Sequence, residues 1–212
     1  MQWRSEKVPA STLVLLAALA IAAMALAERS VVLVKQRAYD QKLKASQTVL
    51  LAMNTLRSEA IHRDIVIDTV NDPNETGLIG SEYSLITTDR GNLQSKLTSL
   101  NPNFGAVLVD MLDRAKLKPG DLVAVGMTGS FPVLNLAALA ALEAMDLKPL
   151  VITSVGSSSW GANDPRLTWM DMESVLNDRK ILHTRSITAS IGGGGDLGRG
   201  LSPEGRELVR EA

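Results

Sequence analysis

GDLVAVGMTGSFPVLNLAALAALEAMDLKPLVITS, residues 120–154, decides the fold. It opens with a short apolar run, LVAV, after a Gly-Asp turn. It closes with a second run, LVIT, and between them lies a stretch apolar on nearly every face, VLNLAALAALEAM. Runs this short read as buried strands, and the longer segment reads as a helix that Pro132 opens. Two strands joined through a helix must lie parallel, because only a crossover of this length returns the chain to the same end of the sheet. A helix with so little polar surface is expected to lie between the sheet and another layer.

The pattern extends in both directions. Leu85, Ile86 and Thr87 form a candidate first strand, and residues 102–117 read as helical. Residues 169–177 are a further helix, 182–189 a fourth, less apolar strand, and 202–212 a last helix. Upstream, residues 30–67 contain no Pro or Gly and carry Val49, Ala52, Met53, Leu56 and Ala60 at helical spacing, which predicts one long packing helix. The expected class is α/β: an N-terminal transmembrane helix and a long helix, then a small parallel sheet flanked by helices in a Rossmann-like arrangement. The expected parts are an anchor over 1–28, a juxtamembrane helix over 29–67 and an α/β domain over 68–212.

The anchor is the uncharged stretch VPASTLVLLAALAIAAMALA, residues 8–27. At about 1.5 Å per residue it matches the roughly 30 Å apolar core of a bilayer. It is longer than the usual hydrophobic region of a cleaved signal, although Ala25-Leu26-Ala27 has the form of a cleavage site. Arg4 and Lys7 ahead of it give the look of an export signal and place the body outside the cytoplasm. Arg29, Lys35, Arg37, Lys42 and Lys44 behind it argue for the opposite orientation. The reading adopted is a single-pass membrane protein with an extracytoplasmic body.

Composition narrows the chemistry. Lys and Arg number 22 against 23 Asp and Glu, and aromatic residues are 3%, so neither a cationic surface nor stacking platforms for nucleic acid are expected. The chain has no cysteine, which excludes disulfides, thiolate metal sites and Cys nucleophiles. GMTGSFP lacks the Gly-Lys-Ser/Thr of a phosphate-binding loop, and Gly192–Gly195 does not lead into a dinucleotide fingerprint. Asp72, Asn74, Thr76 and Gly77 begin like a calcium loop, but its last position is Tyr83 where a glutamate is required, so a turn explains them better. No cofactor and no metal are read from the sequence.

Ligands of open parallel sheets bind beyond the carboxyl ends of the strands. The four expected ends are Thr87-Thr88-Asp89, Gly126 to Ser130, Ser154 to Ser159, and Ser190 to Asp196, all rich in hydroxyls or glycine. The candidate ligand-binding residues are Thr88, Thr128, Gly129, Ser130, Ser157, Ser158, Trp160, Arg166, Gly193 and Asp196. Ser130, between strand and helix, is a candidate nucleophile or N-cap, with capping or anion binding preferred. Of the two histidines, His62 lies in the long helix and His183 at the wrong edge of the sheet, so no His-based triad is expected. Lys96 is a conceivable base for Ser130, although nothing in the spacing brings the two together. Asp171 and Glu173 are candidates for acid–base work or for a helix-dipole role. Arg90, Lys96, Arg166 and Arg199 lie in or near the loops, and their convergence would indicate an anionic ligand.

TSLNPNFGAVLVDML (98–112), GDLVAVGMTGSFPVLNLAALAA (120–141), SVGSSSWGANDP (154–165), TWMDME (168–173) and ASIGGGGD (189–196) together resemble the poly-γ-glutamate system protein family, and DPNETGLIG (72–80) fits as well. The resemblance implies a membrane-anchored bacterial component of poly-γ-glutamate capsule synthesis and export. Its implied partners are the synthase and export machinery, the membrane, and the anionic polymer. It supplies no catalytic residues. It also implies a chain longer than this one, with more α/β sequence to follow. The function expected is an accessory that binds the polymer or scaffolds the machinery. The alternative is a membrane-anchored serine hydrolase or amide-transferring enzyme that acts through Ser130 on a γ-glutamyl or other anionic substrate.

Overall fold

The computed structural model describes residues 8–32 and 34–212. Arg4 and Lys7, the basic residues ahead of the anchor, lie outside the described residues. The chain divides into two compact units, Met1–Gln36 and Arg37–Ala212.

The first unit contains α1 (Ala10–Ser30), 21 residues long, with an 18-residue stretch of mean hydropathy 2.4. None of its residues is buried. By length and composition α1 is able to cross a membrane, and a signal sequence would have the same properties.

The second unit begins with α2 (Tyr39–His62). The expected long helix is therefore shorter at both ends. Ala38 adopts a left-handed conformation with φ 53°, and residues 31, 32 and 34–36, with the β-branched Val31, Val32 and Val34, are not helical. Ala45, Val49, Ala52, Met53, Leu56 and Ala60 form one buried stripe along α2. Met53 and Leu56 are thus core residues, and α2 is a packing helix.

The α/β part follows. It comprises β1 (Thr87–Asp89), α3 (Leu93–Ser99), α4 (Phe104–Arg114), β2 (Leu122–Thr128), α5 (Pro132–Ala144), β3 (Lys148–Ser154), β4 (Ser157–Ser158), β5 (Asn163–Asp164), β6 (Leu167–Thr168), α6 (Trp169–Asp178), β7 (Thr188–Ser190) and α7 (Pro203–Glu211). The main sheet has the order β2-β3-β7, all parallel, with Val125 opposite Val151 and Thr153 opposite Ala189. α5 lies against β2 and β3 on one side and against α2 and α4 on the other, so its all-round apolar surface is buried as expected. Leu56, Leu136, Leu139 and Leu176 are fully buried in this core. Each contributes on the order of 2 kcal/mol from transfer out of water. The opposite face of the sheet is open: Leu122, Leu150 and Ile152 are 64%, 40% and 51% exposed.

The expected first and fourth strands are displaced. β1 begins at Thr87 and pairs with β4 rather than joining the main sheet. The two pairings nevertheless share one rail, residues 148–159. Val155 N–H donates to the Ser190 carbonyl at 2.9 Å and Gly156 N–H to that of Ile191 at 3.2 Å. Further along, Ser157 N–H donates to Ile86 at 3.4 Å and Ser159 N–H to Asp89 at 3.0 Å. The rail thus passes from β7 to β1. Residues 182–187 form no strand because side chains satisfy their backbone. Glu143 accepts N–H bonds from His183 and Thr184 at 2.8 Å each, and Glu173 accepts that of Ser186 at 2.8 Å.

Candidate functional site

The carboxyl ends of β1, β2, β3 and β7 open into one cleft of about 590 Å³, a volume typical of small-molecule sites. Thr88, Thr128, Ser130, Ser158, Gly193 and Asp196 line it, together with Arg90, Ser154, Ser190 and Gly194. Six of the ten candidate residues therefore share one surface, drawn from all four strand ends.

The other four do not line this cleft. Ser157 and Ser158 are neighbours on β4, and alternation sends their side chains to opposite faces. Ser157 is fully buried and its Oγ donates to the Ser158 carbonyl at 3.0 Å. Gly129 is a backbone support: its N–H donates to Ser154 at 3.2 Å and its carbonyl accepts from Ala162 at 2.8 Å. Trp160 and Arg166 line a different cavity, of about 520 Å³, beside Asp64, Ser81 and Asn163. Arg166 is bonded there to Asp164 at 2.7 and 3.0 Å, which holds the Asp164 carboxyl below its ordinary range against the opposing effect of burial.

Ser130 does not cap α5. The N-cap is Phe131, and Pro132 at the first helical position has no N–H to satisfy. Instead Ser130 Oγ accepts the Ser158 N–H at 3.1 Å and lies 3.2 Å from Thr128 Oγ1. Its hydroxyl joins the strand ends together.

The basic group that sequence spacing did not place is at the back of the cleft. Lys96 projects from α3, a helix absent from the sequence reading, whose N-cap Asn92 accepts the Ser95 N–H at 2.9 Å. Lys96 is 2% exposed. Its Nζ contacts the Ser130 carbonyl, lies 2.8 Å from Ser158 Oγ, and sits 4.0 Å from the centre of the Phe131 ring. It makes no ion pair among the described residues, and burial lowers its pKa to about 8. The signal for α3 was the Asn92 cap ahead of a four-residue spacing of Leu93 and Leu97.

Gly193 closes the far wall. It has φ 75°, and a Cβ there would come within 2.5 Å of the Arg199 carbonyl oxygen, so only glycine fits. Asp196 Oδ1 accepts the Gly192 N–H at 2.7 Å and fixes the turn. Gly192 and Gly193 are thus closely packed, whereas Gly194 and Gly195 are exposed. Arg90 makes no ion pair among the described residues, and its N–H donates to the Asp89 carboxylate at 2.7 Å. The cationic side chains of the cleft, Arg90 and the Lys96 behind it, are matched by Asp89 and Asp196. Directed hydrogen bonds rather than a positive field must select its ligand.

The remaining candidates are structural. Asp171 forms a capping box with Thr168 and pairs with Arg63 at 3.2 Å, and Glu173 is buried against the Ser186 hydroxyl at 2.7 Å. His183 lies 3.3 Å from Glu143, in a part of the domain apart from the cleft. Asp72 accepts the Thr76 hydroxyl at 2.9 Å and the Gly77 N–H at 2.8 Å, closing a turn as the sequence suggests. Comparisons of the chain with protein-family models, with curated proteins and with solved structures found no match.

Proposed function

We propose that this chain is a membrane-anchored accessory of poly-γ-glutamate synthesis or export, and that the cleft binds carboxylates of the polymer. The observation that carries the reading is the convergence of Thr88, Thr128, Ser130, Ser158, Ser190 and Arg90 on one cleft at the carboxyl ends of parallel strands. Hydroxyls and a guanidinium satisfy a carboxylate with short, charge-assisted hydrogen bonds. Three of the segments that resemble the poly-γ-glutamate system family, 120–141, 154–165 and 189–196, supply most of the lining.

The apolar helix α1 supports anchoring in the cell membrane; in this reading the body lies on the extracytoplasmic side, where exported polymer would meet it. The β2–α5–β3 unit, with its parallel strands, supports a Rossmann-like description of the body. The synthase and export proteins are the partners in this reading.

Calorimetric titration of the full chain, in detergent, with γ-linked oligoglutamate tests the proposal. Binding should weaken at least tenfold in an Arg90→Ala, Thr128→Val double variant and persist in Arg166→Ala, whose side chain lies in the other cavity. No heat of binding, or equal loss in both variants, would refute it.

A further inference from the structure

We propose that Ser158 is a nucleophile with Lys96 as its base, and that the cleft carries out acyl transfer on amide bonds. The pairing is geometric. Lys96 Nζ and Ser158 Oγ are 2.8 Å apart, and no other hydrogen bond engages the Ser158 hydroxyl among the described residues. A serine nucleophile needs a base at this distance and an unobstructed oxygen. Ser130, the expected candidate, has neither. Its Oγ is occupied by the Ser158 N–H at 3.1 Å, and Lys96 meets its carbonyl instead. Ser158 lines the cleft whereas Lys96 is almost wholly covered, so a substrate reaches the hydroxyl from one side and the amine serves it from the other.

The environment of Lys96 suits a base. A buried ammonium ordinarily has a carboxylate partner; here it has a carbonyl, a hydroxyl and an aromatic face. Burial without a counter-ion keeps the amine able to shed its proton near neutral pH. The Ser130 carbonyl orients one N–H, leaving the nitrogen lone pair free for the Ser158 hydroxyl proton.

The reaction balances with water alone. Ser158 Oγ attacks the amide carbonyl carbon while its proton passes to Lys96 Nζ. The tetrahedral oxyanion develops in the cleft lined by Arg90 and the backbone of Gly193 and Gly194. The C–N bond then breaks and Lys96 returns the proton to the leaving nitrogen. A water molecule then attacks the acyl-serine carbonyl as Lys96 takes its proton; the C–O bond to Ser158 breaks, Lys96 returns that proton to Ser158 Oγ, and a carboxylic acid is released. The amide of an acidic chain as substrate rests on the binding reading above; the Ser158–Lys96 pair does not.

A fluorophosphonate probe tests the pair without any polymer, since it reacts with an activated serine by forming an O–P bond and expelling fluoride. Full chain in detergent is treated with the probe across pH 6–10, and adducts are located by intact mass and peptide mapping. One adduct on Ser158 is expected, with a rate that rises through a midpoint near pH 8. It should vanish in Ser158→Ala and persist in Arg166→Ala, whose side chain lies in the other cavity. Lys96→Met, checked for folding by circular dichroism, should label at least 100-fold more slowly and without the midpoint. No adduct on Ser158, an adduct on Ser130 instead, or undiminished labelling in folded Lys96→Met would overturn the proposal. Labelling without oligoglutamate binding would remove the polymer reading and leave the serine–lysine pair standing.

Discussion

Lys96 should make the stability of the body depend on pH in a way that one substitution removes. The group is 2% exposed, has no counter-ion among the described residues, and titrates at about 8 rather than at its ordinary 10.5. Because its folded pKa is the lower one, the unfolded chain binds more protons between these values, and stability rises with pH across that window. A tenfold difference in proton affinity between folded and unfolded chain is worth about 1.4 kcal/mol, so the wild type should gain roughly 2–3 kcal/mol between pH 7 and pH 10. Lys96→Met keeps most of the volume and abolishes this titration. It also leaves the Ser130 carbonyl and the Ser158 hydroxyl without their partner, which costs about 1–3 kcal/mol at every pH. The absolute difference at a single pH therefore mixes two effects of opposite sign, but its slope contains only the first. Urea unfolding of both proteins, followed through the buried Trp169, measures that slope when the difference is taken at each pH, since other titrations cancel. Parallel stability curves, or a wild type that loses ground to the variant as pH rises, would refute the account of Lys96 as a buried, unpaired amine.

Substitutions at three further positions test the packing around the site. Glu173→Ala should cost about 2–4 kcal/mol, read as a lower urea midpoint, because it strips the acceptor from Ser186 N–H and Oγ in a buried setting; a neutral result would show that these bonds do not hold residues 182–187. Gly105→Ala should destabilise by about 1–2 kcal/mol, since its Cβ would come within 2.9 Å of the Ala45 backbone of α2 and the gain in helix propensity, up to ~1 kcal/mol, is too small to offset that overlap. A higher melting temperature in that variant would mean that α2 and α4 separate freely. Thr168→Ala should cost about 1 kcal/mol by removing the capping box of α6, whereas Thr168→Ser should be nearly neutral, as thermal melts of the pair would show.

The elements legible in the sequence were those whose burial is regular. β2, α5, β3 and α6 appear close to their expected bounds because each is an apolar run or a helical stripe closed by Gly, Pro or a cap. The segment before α2 misled because it contains neither Gly nor Pro, and a reading based on these residues runs straight through it. The break lies instead at Ala38, a left-handed residue of a type that gives no warning. The hydroxyl- and glycine-rich lining of the cleft was equally legible, since strand ends of a parallel sheet share an edge by geometry. The choice between Ser157 and Ser158 was not, because it depends on which face of a two-residue strand meets the core. Lys96 was visible as a conceivable base but its placement was not: its partners, Ser130 and Ser158, lie 34 and 62 positions away, and no local pattern encodes such a pairing.

That pairing has a consequence for how the molecule is made. β2, α5 and β3 adjoin along the chain and can form together early. The cleft, by contrast, is joined by contacts between distant residues, such as Lys96 with Ser158 across 62 positions and Ser158 with Ser130 across 28. Closing such long loops is entropically slow, so the cleft should be among the last parts to assemble. A ligand of the cleft would then have nothing to hold on any earlier form of the chain. By mass action it would draw the population toward the finished fold, in proportion to the logarithm of its concentration.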